Sequence, residues 1–568
     1  MRYLALATDY DGTLAEHGAV DDATLSVLRR LRDSGRRLIL VSGRELPDLL
    51  RVFPKYEVFH RIVAENGALV FNPETREEKL LGKAPPARFA DTLREHNVTP
   101  LSTGKVIVAT WAPHQTTVLN TILELGLELQ VIFNKGAVMV LPSGINKASG
   151  LQVALADLGI SVHNTVAVGD AENDHALLDA CELRVAVANA VPTLKDRADW
   201  VTLQPRGAGV IELAERLLEN DLNEFSGRLA RSCIEIGTFD QQPVSIPVHG
   251  KRVLICGTSG SGKSSLACGF LERLVEKEYQ FCLIDPEGDF EAFPNCVVIG
   301  GSQQIPAADE VISVLTPGEQ SVICCLLGVP LEARPRAFVQ LLARLEEHRA
   351  HFGRPHWIVA DEAHHFMPGG AITLPDPILN APTGLLLITV HPEHLATRVL
   401  QMMNYIVATG EAPAKALRIF AQAHGLTRQF EDVTLETGEA LLWEAGNPGP
   451  PIKLRPIPPQ SQRRRHQRKY ALGQLGEDKS FYFRGPREAL NLRAHNLAIF
   501  VQIADGVDDE TWSYHLRRHD YSKWLENVVK DDSLASEVLA IETDPTYPAA
   551  LSRGKIRNAI LTRYTFPA

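Results

Sequence analysis

The stretch Asp9-Tyr10-Asp11-Gly12-Thr13-Leu14 decides the fold of the first part of this chain. It follows a short apolar run, residues 3–8, whose length and composition predict a buried strand. The two acids would then lie at the carboxyl edge of a sheet, where open α/β sheets bind ligands. Gly12 allows the chain to turn sharply, and Thr13 can hydrogen-bond within that turn. The stretch predicts an α/β domain with an acidic site at one edge.

Two carboxylates at such an edge suit phosphoryl transfer. One acid can attack a phosphorus atom while the other exchanges a proton with the leaving oxygen. A metal ion must lie between them, because two bare carboxylates would repel each other and the phosphate. We therefore expect Asp9 and Asp11 to form the centre of a metal-dependent site.

Three later stretches add groups that suit the same chemistry. They are Ser42-Gly43-Arg44 after an apolar run, Pro142-Ser143-Gly144-Ile145-Asn146-Lys147 before a helical stretch, and Gly169-Asp170-Ala171-Glu172-Asn173-Asp174 after another apolar run. A hydroxyl at a strand end can hold a phosphate oxygen, and a lysine at a helix start can neutralise a phosphate or the attacking acid. Magnesium prefers oxygen ligands, so the late acids suit it.

These four motifs, in this order, make residues 1–215 resemble the haloacid dehalogenase (HAD) phosphohydrolases. The resemblance implies a Rossmann-like core, with Asp9 as the nucleophile that forms an aspartyl-phosphate and Asp11 as the acid/base. It also implies that Ser42 and Lys147 hold the phosphate.

The same resemblance implies a magnesium ion and a cap. The ion would be bound by Asp9, Asp170 and the Asp11 carbonyl, with support from Asp174. The turn Ala64-Glu65-Asn66-Gly67-Ala68 is typical of the branch with a large α/β cap. Residues 81–141, where β-like runs such as 105–109 flank helical stretches, would be this inserted α+β cap, which excludes water and large substrates.

A nucleotide-binding motif follows the apolar run 251–256. The pattern G-x-x-x-x-G-K-S occupies residues 257–264 and precedes a helical stretch, which is its required setting. Its backbone N–H groups can curl around phosphates, and the helix start adds a favourable dipole. Lys263 would reach the β- and γ-phosphates, and Ser264 would bind Mg²⁺. The residues expected to bind ATP are Gly257, Gly260, Gly262, Lys263, Ser264 and Ser265.

An acidic pair, Asp361-Glu362, follows a later apolar run. Asp361 would anchor the water shell of Mg²⁺, and Glu362 would polarise the attacking water. A glutamate in this position indicates ATP hydrolysis rather than kinase chemistry. His364 and His365 follow directly. Adjacent histidines are expected to point apart, and no third metal ligand is evident, so we predict a structural or switch role for them.

The segment 281–290, with its Asp285-Pro286-Glu287-Gly288-Asp289, makes residues 245–450 resemble the HerA/FtsK-type P-loop ATPases. The resemblance implies ring assemblies, often hexamers that act on DNA. One departure is His391, which occupies the strand end where that family usually has Thr-Gln.

The rest of the chain carries no recognisable catalytic constellation. Proline-rich residues 448–459 predict a semi-rigid linker. The basic run 463–469 is most simply a solvated segment, with contact to nucleic acid or an acidic partner as the alternative. Residues 471–568 predict a small C-terminal accessory domain, in which Asp508-Asp509-Glu510 opens a helix.

Length, charge and cysteine content set outer limits. A chain of 568 residues should hold several domains, and its net charge of −11 excludes a uniformly basic nucleic-acid binder but not a local basic face. The eight cysteines show no C-x-x-C pair, which favours a reduced cytoplasm. No apolar run approaches the length of a membrane helix, so we expect no membrane contact.

The sequence thus predicts an α/β fusion of three parts. They are a HAD phosphatase (1–220), a P-loop ATPase (221–458), and a C-terminal domain (471–568) after a basic linker (459–470). We expect Mg²⁺ and ATP as cofactors, a small phosphorylated substrate, and a homo-oligomer with a hexameric ring as the expected form. The alternative is a DNA-processing ATPase whose phosphatase acts on nucleic-acid ends or nucleotides. A kinase–phosphatase is disfavoured by Glu362.

Overall fold

The structure is a computed structural model that describes residues 1–291, 293–369, 384–460, 470, 475, 477–529 and 531–564. The basic run 463–469 lies outside the described residues. The chain divides into two compact units, which are considered separately. One comprises residues 1–286 and 295–460, and the other comprises residues 287–294 and 461–568.

The first sheet of the larger unit carries the opening acidic motif on a central strand. Its eight strands run in the order β12-β11-β10-β1-β2-β3-β4-β5, and the neighbours of β1, namely β10 and β2, are parallel to it. The strands are β1 (Ala5–Asp9), β2 (Arg37–Val41), β3 (Arg61–Ala64), β4 (Leu69–Phe71), β5 (Glu78–Leu80), β10 (Thr165–Gly169), β11 (Leu183–Ala186) and β12 (Trp200–Val201). This arrangement confirms the predicted α/β core.

Helices cover this sheet. They are α1 (Asp22–Asp33), α2 (Leu46–Val52), α5 (Lys147–Leu158), α6 (His175–Asp179), α7 (Pro192–Lys195) and α8 (Arg206–Asn220). The first helix begins directly after Asp21, whose carboxylate accepts the N–H of Thr24 and caps it. Its buried face, which includes Leu25, Leu28 and Leu31, packs into the core beneath the sheet.

The inserted cap is a small α+β layer, as predicted. Its four strands run in the order β6-β7-β9-β8, with bounds β6 (Ser102–Thr103), β7 (Val108–Trp111), β8 (Leu129–Asn134) and β9 (Ala137–Pro142). Two helices, α3 (Ala87–Glu95) and α4 (Gln115–Glu124), pack on it through Phe89, Leu93 and Val118. The predicted β-run 105–109 was placed too early, because residues 105–107 donate their N–H groups to a core side chain described below.

A second, eleven-stranded sheet carries the nucleotide motif. Its order is β14-β13-β23-β22-β21-β15-β20-β19-β16-β18-β17. The bounds are β13 (Cys233–Phe239), β14 (Gln242–Pro247), β15 (Arg252–Gly257), β16 (Phe281–Asp285), β17 (Cys296–Gly300), β18 (Ser321–Cys325), β19 (Trp357–Ala360), β20 (Gly384–Thr389), β21 (Tyr405–Thr409), β22 (Ala440–Glu444) and β23 (Ile452–Pro456). The helices are α9 (Lys263–Glu276), α10 (Ala308–Leu315), α11 (Arg334–Phe352), Thr397–Met402 and Pro413–Ala423.

The predicted linker at 448–459 is wrong in its central part. Residues 452–456 form β23, which pairs antiparallel with β22 and β13. Leu454 is fully buried between the exposed residues Lys453 and Arg455, as expected when successive side chains of a strand point to opposite faces. The prolines lie outside the strand or at its last residue, where they cost no ladder hydrogen bond.

The smaller unit has its own aromatic core. A hairpin of β24 (Phe481–Phe483) and β25 (Leu492–Ala494) is joined by helices Leu497–Gly506, Asp509–Arg517, Asp520–Trp524, Asp532–Thr543 and Ala549–Arg563. The helix predicted from its acidic start is confirmed, since Asp508 accepts the N–H of Thr511. Across the described residues no helix is long and apolar enough to cross a membrane. All eight cysteines lie in the described part of the chain, and none of them forms a disulfide there.

A buried carboxylate, Glu182, joins the first 220 residues to the ATPase part of the same unit. It is 4% exposed and pairs with Arg2 at 3.0 Å and His163 at 2.9 Å on its own side. From the other side, the Tyr279 hydroxyl donates to it at 3.2 Å, and His249 lies 3.3 Å away. Burial raises the pKa of Glu182, but His163 and His249 outweigh burial and hold that pKa well below its usual range.

This interface should be sensitive to acid. Burial, reinforced by Arg2, lowers the pKa of His249 from its ordinary value of 6.5 to about 4. Between these two pKa values the unfolded state binds a proton that the folded state does not bind. The stability that the neutral ring contributes is therefore fully present above pH 6.5 and is lost as the pH falls toward 4. We expect the unfolding temperature of His249→Asn to fall less steeply over that range than that of the parent. His17→Asn, at an exposed site, should behave like the parent; equal slopes in all three proteins would contradict the assignment.

Candidate active sites

The first site is built around Lys147, the first residue of α5. Its side chain is 1% exposed, and its ammonium donates to Asp9 Oδ1 and Asp174 Oδ1, both at 2.6 Å. Asp9 ends β1, and the second oxygen of Asp174 accepts the backbone N–H groups of Asp170 and Ala171. Asn146 caps α5 and fixes the position of Lys147. The structure therefore brings these predicted residues together.

Asp170 completes a cluster of three buried carboxylates. The ligand oxygens of Asp9, Asp170 and Asp174 all lie within 4.8 Å of one another. Asp170 also accepts hydrogen bonds from Lys135 at 2.5 Å and Asn189 at 3.1 Å. Three carboxylates thus face two ammonium groups, which leaves the cluster with an excess negative charge. Because oxygen donors with such an excess suit a hard cation, the residues present fit Mg²⁺.

The pKa values of the cluster support the same conclusion. Burial first, and then the neighbouring carboxylates, raise the pKa of Asp9, although Lys147 opposes the shift. Burial also raises the pKa of Asp170. A nucleophilic carboxylate must be ionised, and a cation beside it lowers its pKa. The site is therefore arranged so that cation binding and ionisation of Asp9 favour each other.

Asp11 and Ser42 both contact Arg44. Asp11 is bound by both Nε and Nη2 of Arg44 at 2.7 Å, and Arg44 is fixed in turn by Asp48. Ser42 follows β2 and is 1% exposed; its hydroxyl accepts the N–H of Arg44 at 3.1 Å. Arg44 thus connects the predicted acid/base residue to the predicted phosphate ligand.

The turn at Glu65 connects the core to the cap. Its carboxylate is fully buried and accepts three successive cap N–H groups, those of Lys105, Val106 and Ile107, at 2.7–3.0 Å. Glu65 has a φ of 50°, an unusual left-handed conformation for a glutamate. In the same turn, a side chain on Gly67 would come within 1.8 Å of the Asn146 carbonyl. The turn therefore holds the cap and packs against the start of α5.

The second site lies at the carboxyl ends of the parallel strands in the larger sheet. Gly257, Gly260 and Gly262 have positive φ values of 152°, 79° and 95°, which suit a loop that wraps around an anion. Lys263 begins α9 and is 6% exposed, and its ammonium donates to the Thr258 carbonyl at 2.8 Å. Ser264 and Ser265 follow it in the first turn of α9. These positions match the predicted phosphate loop.

The acidic pair Asp361-Glu362 follows β19, and β20 lies between β19 and the phosphate-loop strand β15. Asp361 is 4% exposed. Glu362 has φ 45° and ψ 49°, so it too is held in the left-handed region. Non-glycine residues in this conformation concentrate at functional sites. All these groups therefore share one edge of the sheet.

Comparison with known proteins finds matches to both of these regions of the chain. The family described as haloacid dehalogenase-like hydrolase matches residues 6–109 and 102–213. Phosphoglycolate phosphatase 2 of Saccharolobus solfataricus is 30% identical over 230 residues, which cover 39% of this chain and 95% of that protein. This chain belongs to the haloacid dehalogenase-like hydrolases.

Further proteins are similar to the HAD part of this chain. The phosphoglycolate phosphatase of Methanothermobacter thermautotrophicus is 29% identical over 224 residues, covering 38% of this chain and 98% of that one. A solved haloacid dehalogenase-like hydrolase from Bacteroides thetaiotaomicron is 21% identical, covers 38% of this chain and 99% of that one, and has a TM-score of 0.33. A second family, the central domain of helicase HerA, matches residues 234–340. The chain therefore joins a HAD-like hydrolase domain to a segment that is similar to the central domain of helicase HerA.

Sequence reasoning missed two groups in the HAD site. Lys135 lies in the turn between β8 and β9, so the cap supplies a cation to the core acids. The signal was Asn134-Lys135-Gly136 between two β-like runs, which marks a hairpin tip but not what the tip contacts. Arg44 was part of a quoted motif, yet its pairing with Asp11 required the tertiary structure.

The Glu65 turn gives a specific prediction. Glu65→Gln keeps the shape but replaces one acceptor oxygen with an N–H₂ group, so at least one cap N–H loses its partner. An unsatisfied buried donor costs about 1–3 kcal/mol. We expect faster amide hydrogen exchange at residues 105–107 and lower phosphatase activity. Glu74→Gln makes the same chemical change at an exposed turn and should leave both unchanged. Exchange in Glu65→Gln that equals the parent would refute the anchoring role.

Proposed function

We propose that the HAD domain is an Mg²⁺-dependent phosphatase of a small phosphate monoester that works through an aspartyl-phosphate on Asp9. The observation that carries this proposal is the buried arrangement of Asp9, Asp170 and Asp174 around Lys147. The relatives named for phosphoglycolate make that compound the first substrate to test. The cap, held by Glu65, favours a small substrate over a polymer.

The proposed reaction has two steps. Asp9 forms a bond to phosphorus as the ester P–O bond breaks, and Asp11 gives its proton to the leaving oxygen. Water then attacks phosphorus while Asp11 takes its proton, and the P–O bond to Asp9 breaks to release phosphate. Before it can act as an acid, Asp11 must exchange its contact with Arg44 for the leaving oxygen.

The remaining groups bind and orient the substrate. Ser42 and Lys147 would hold the phosphate, and Asp9, Asp170 and the Asp11 carbonyl would hold Mg²⁺. The ion supplies charge neutralisation for the phosphoryl oxygens when bound. Asp174 fixes Lys147 and, through the N–H groups of Asp170 and Ala171, the loop that carries Asp170.

The nucleophile assignment has a simple test. Asp9→Asn keeps the shape but is a poor nucleophile and a weaker cation ligand, so phosphatase activity on phosphoglycolate with Mg²⁺ should fall below detection. The matched control is Asp196→Asn, at an exposed residue of the same domain, which should retain parental activity. Circular dichroism would show that both variants fold. Magnesium-dependent turnover by purified Asp9→Asn would remove Asp9 from its role.

For the second domain, we propose ATP hydrolysis with Lys263 on the β- and γ-phosphates, Ser264 and Asp361 at Mg²⁺, and Glu362 as the group that polarises water. The three loop glycines and Ser265 would line the nucleotide. The HerA family match supports this proposal and also favours a ring of subunits, for which six copies is the expected number.

The roles of Lys263 and Glu362 can be separated. Lys263→Ala should lose nucleotide binding, whereas Glu362→Gln should bind ATP normally and hydrolyse it at least about 100-fold more slowly, as expected for loss of general-base assistance. Lys415→Ala, at an exposed helix position of the same domain, serves as the control. ATP binding by fluorescence and phosphate release would be measured. Parental hydrolysis by both variants would refute the assignment.

The second candidate function is a DNA-processing ATPase, which the HerA match favours. A ring of chains with charge −11 each would repel DNA unless basic residues face it. The basic run 463–469 is the proposed contact, and phosphate contacts of this kind weaken steeply with salt.

We expect light scattering to show an oligomer and DNA to stimulate its ATPase only at low salt. Changing Arg463, Arg464, Arg465 and Arg468 to serine should abolish the stimulation. A monomer at micromolar concentration would contradict the ring. An oligomer whose ATPase ignores DNA at every salt concentration, but which hydrolyses phosphoglycolate, would decide for the metabolic function.

A further inference from the structure

Four histidines from two separate motifs meet beside the ATPase acids. His364 and His365 lie in the turn after β19, with ring centroids 4.2 Å apart. His391 and His394 follow β20, and their rings stack at 4.6 Å. The ring of His391 also lies 5.4 Å from that of His364. The expectation that the adjacent histidines point apart is therefore wrong, and the loop after β20 brings two further histidines beside them.

Three of the side chains in this region have the spacing of a metal site. One ligand atom from each of His391, Glu393 and His394 lies within 4.8 Å of the other two. His391 Nδ1 is 3.3 Å from a Glu393 oxygen. A tetrahedral zinc site with bonds of about 2.0–2.1 Å places its ligand atoms roughly 3.3 Å apart. Since all three side chains are exposed, small rotations about their χ angles close the remaining gap without disturbing a packed core.

We propose that His391, Glu393 and His394 bind a divalent transition-metal ion, with zinc as the expected metal. Two imidazoles and one carboxylate form a donor set that suits zinc. Magnesium prefers oxygen donors in octahedral geometry, so this site differs in chemistry from those proposed for the HAD acids and the nucleotide. Three protein ligands leave a fourth position for water or for a further side chain, and His364 is the adjacent imidazole.

The location connects this metal to ATP hydrolysis. Strand β20 pairs with both β15 and β19, so the loop at 391–394 lies at the same sheet edge as the phosphate loop and Glu362. His364 Nδ1 is 3.0 Å from the Thr389 hydroxyl and 3.4 Å from a Glu362 oxygen. The Thr389 hydroxyl in turn accepts the N–H of His391 at 3.0 Å. A chain of direct contacts therefore runs from the proposed ligand His391 to the proposed catalytic glutamate.

The test uses the full chain, stripped with a chelator and then held in excess Mg²⁺ to occupy the oxygen sites. Zn²⁺ binding is measured by titration calorimetry, and Co²⁺ is added separately as a spectroscopic probe for nitrogen ligands. The parent should bind one more equivalent of Zn²⁺ than the double variant His391→Ala/His394→Ala, and the variant should lose the Co²⁺ absorption. Glu393→Gln should weaken the binding at least tenfold.

Two controls keep the test decisive. His351→Ala, at an exposed histidine of the same domain, should retain parental stoichiometry and spectrum. Unfolding temperatures measured without Zn²⁺ should be the same for all variants, and added Zn²⁺ should raise that of the parent but not that of the double variant. Equal Zn²⁺ stoichiometry and equal Co²⁺ spectra in the parent and the double variant would overturn the proposal.

Discussion

The HAD site depends on the buried ammonium of Lys147 between Asp9 and Asp174. Without it, three carboxylates would lie together in a site closed to water, and removing one partner of a buried ion pair costs about 3–5 kcal/mol. The contact joins the end of β1, the loop after β10 and the start of α5. The charge of this lysine does not balance all three carboxylates. The cluster is therefore held together by Lys147 and still attracts a cation.

The two α/β domains of the larger unit share the same arrangement at the edge of the sheet. In each, parallel strands end at a common edge, and a lysine that begins a helix is buried at that edge, Lys147 in α5 and Lys263 in α9. Each edge also holds a glutamate in the left-handed region, Glu65 or Glu362. In the first domain that residue fixes the cap; in the second it is the proposed catalytic base. Glu182 lies between the domains and contacts side chains of both. The two sheet edges therefore belong to one folded unit.

Short-range motifs could be predicted from the sequence, and contacts between distant motifs could not. Gly12 and the phosphate-loop glycines act within a few residues, so pattern alone located them. Lys135 and the N–H groups at 105–107 reach the core only after the cap has folded, and nothing in their local sequence records that approach. Residues 452–456 were predicted to be linker because the flanking prolines outweighed a short alternation of apolar and charged residues. His391 was noted, but its proximity to His364 depends on β20 lying beside β19.

The most direct test of the central claim is chemical trapping of the phosphorylated enzyme. A single turnover of phosphoglycolate with Mg²⁺ would be quenched and treated with borohydride, which reduces an acyl phosphate to an alcohol. Peptide mass spectrometry would then locate the modified residue. We expect homoserine at position 9, formed only when both substrate and Mg²⁺ are present. Substrate turnover without modification of Asp9, or with modification of a different carboxylate, would contradict it.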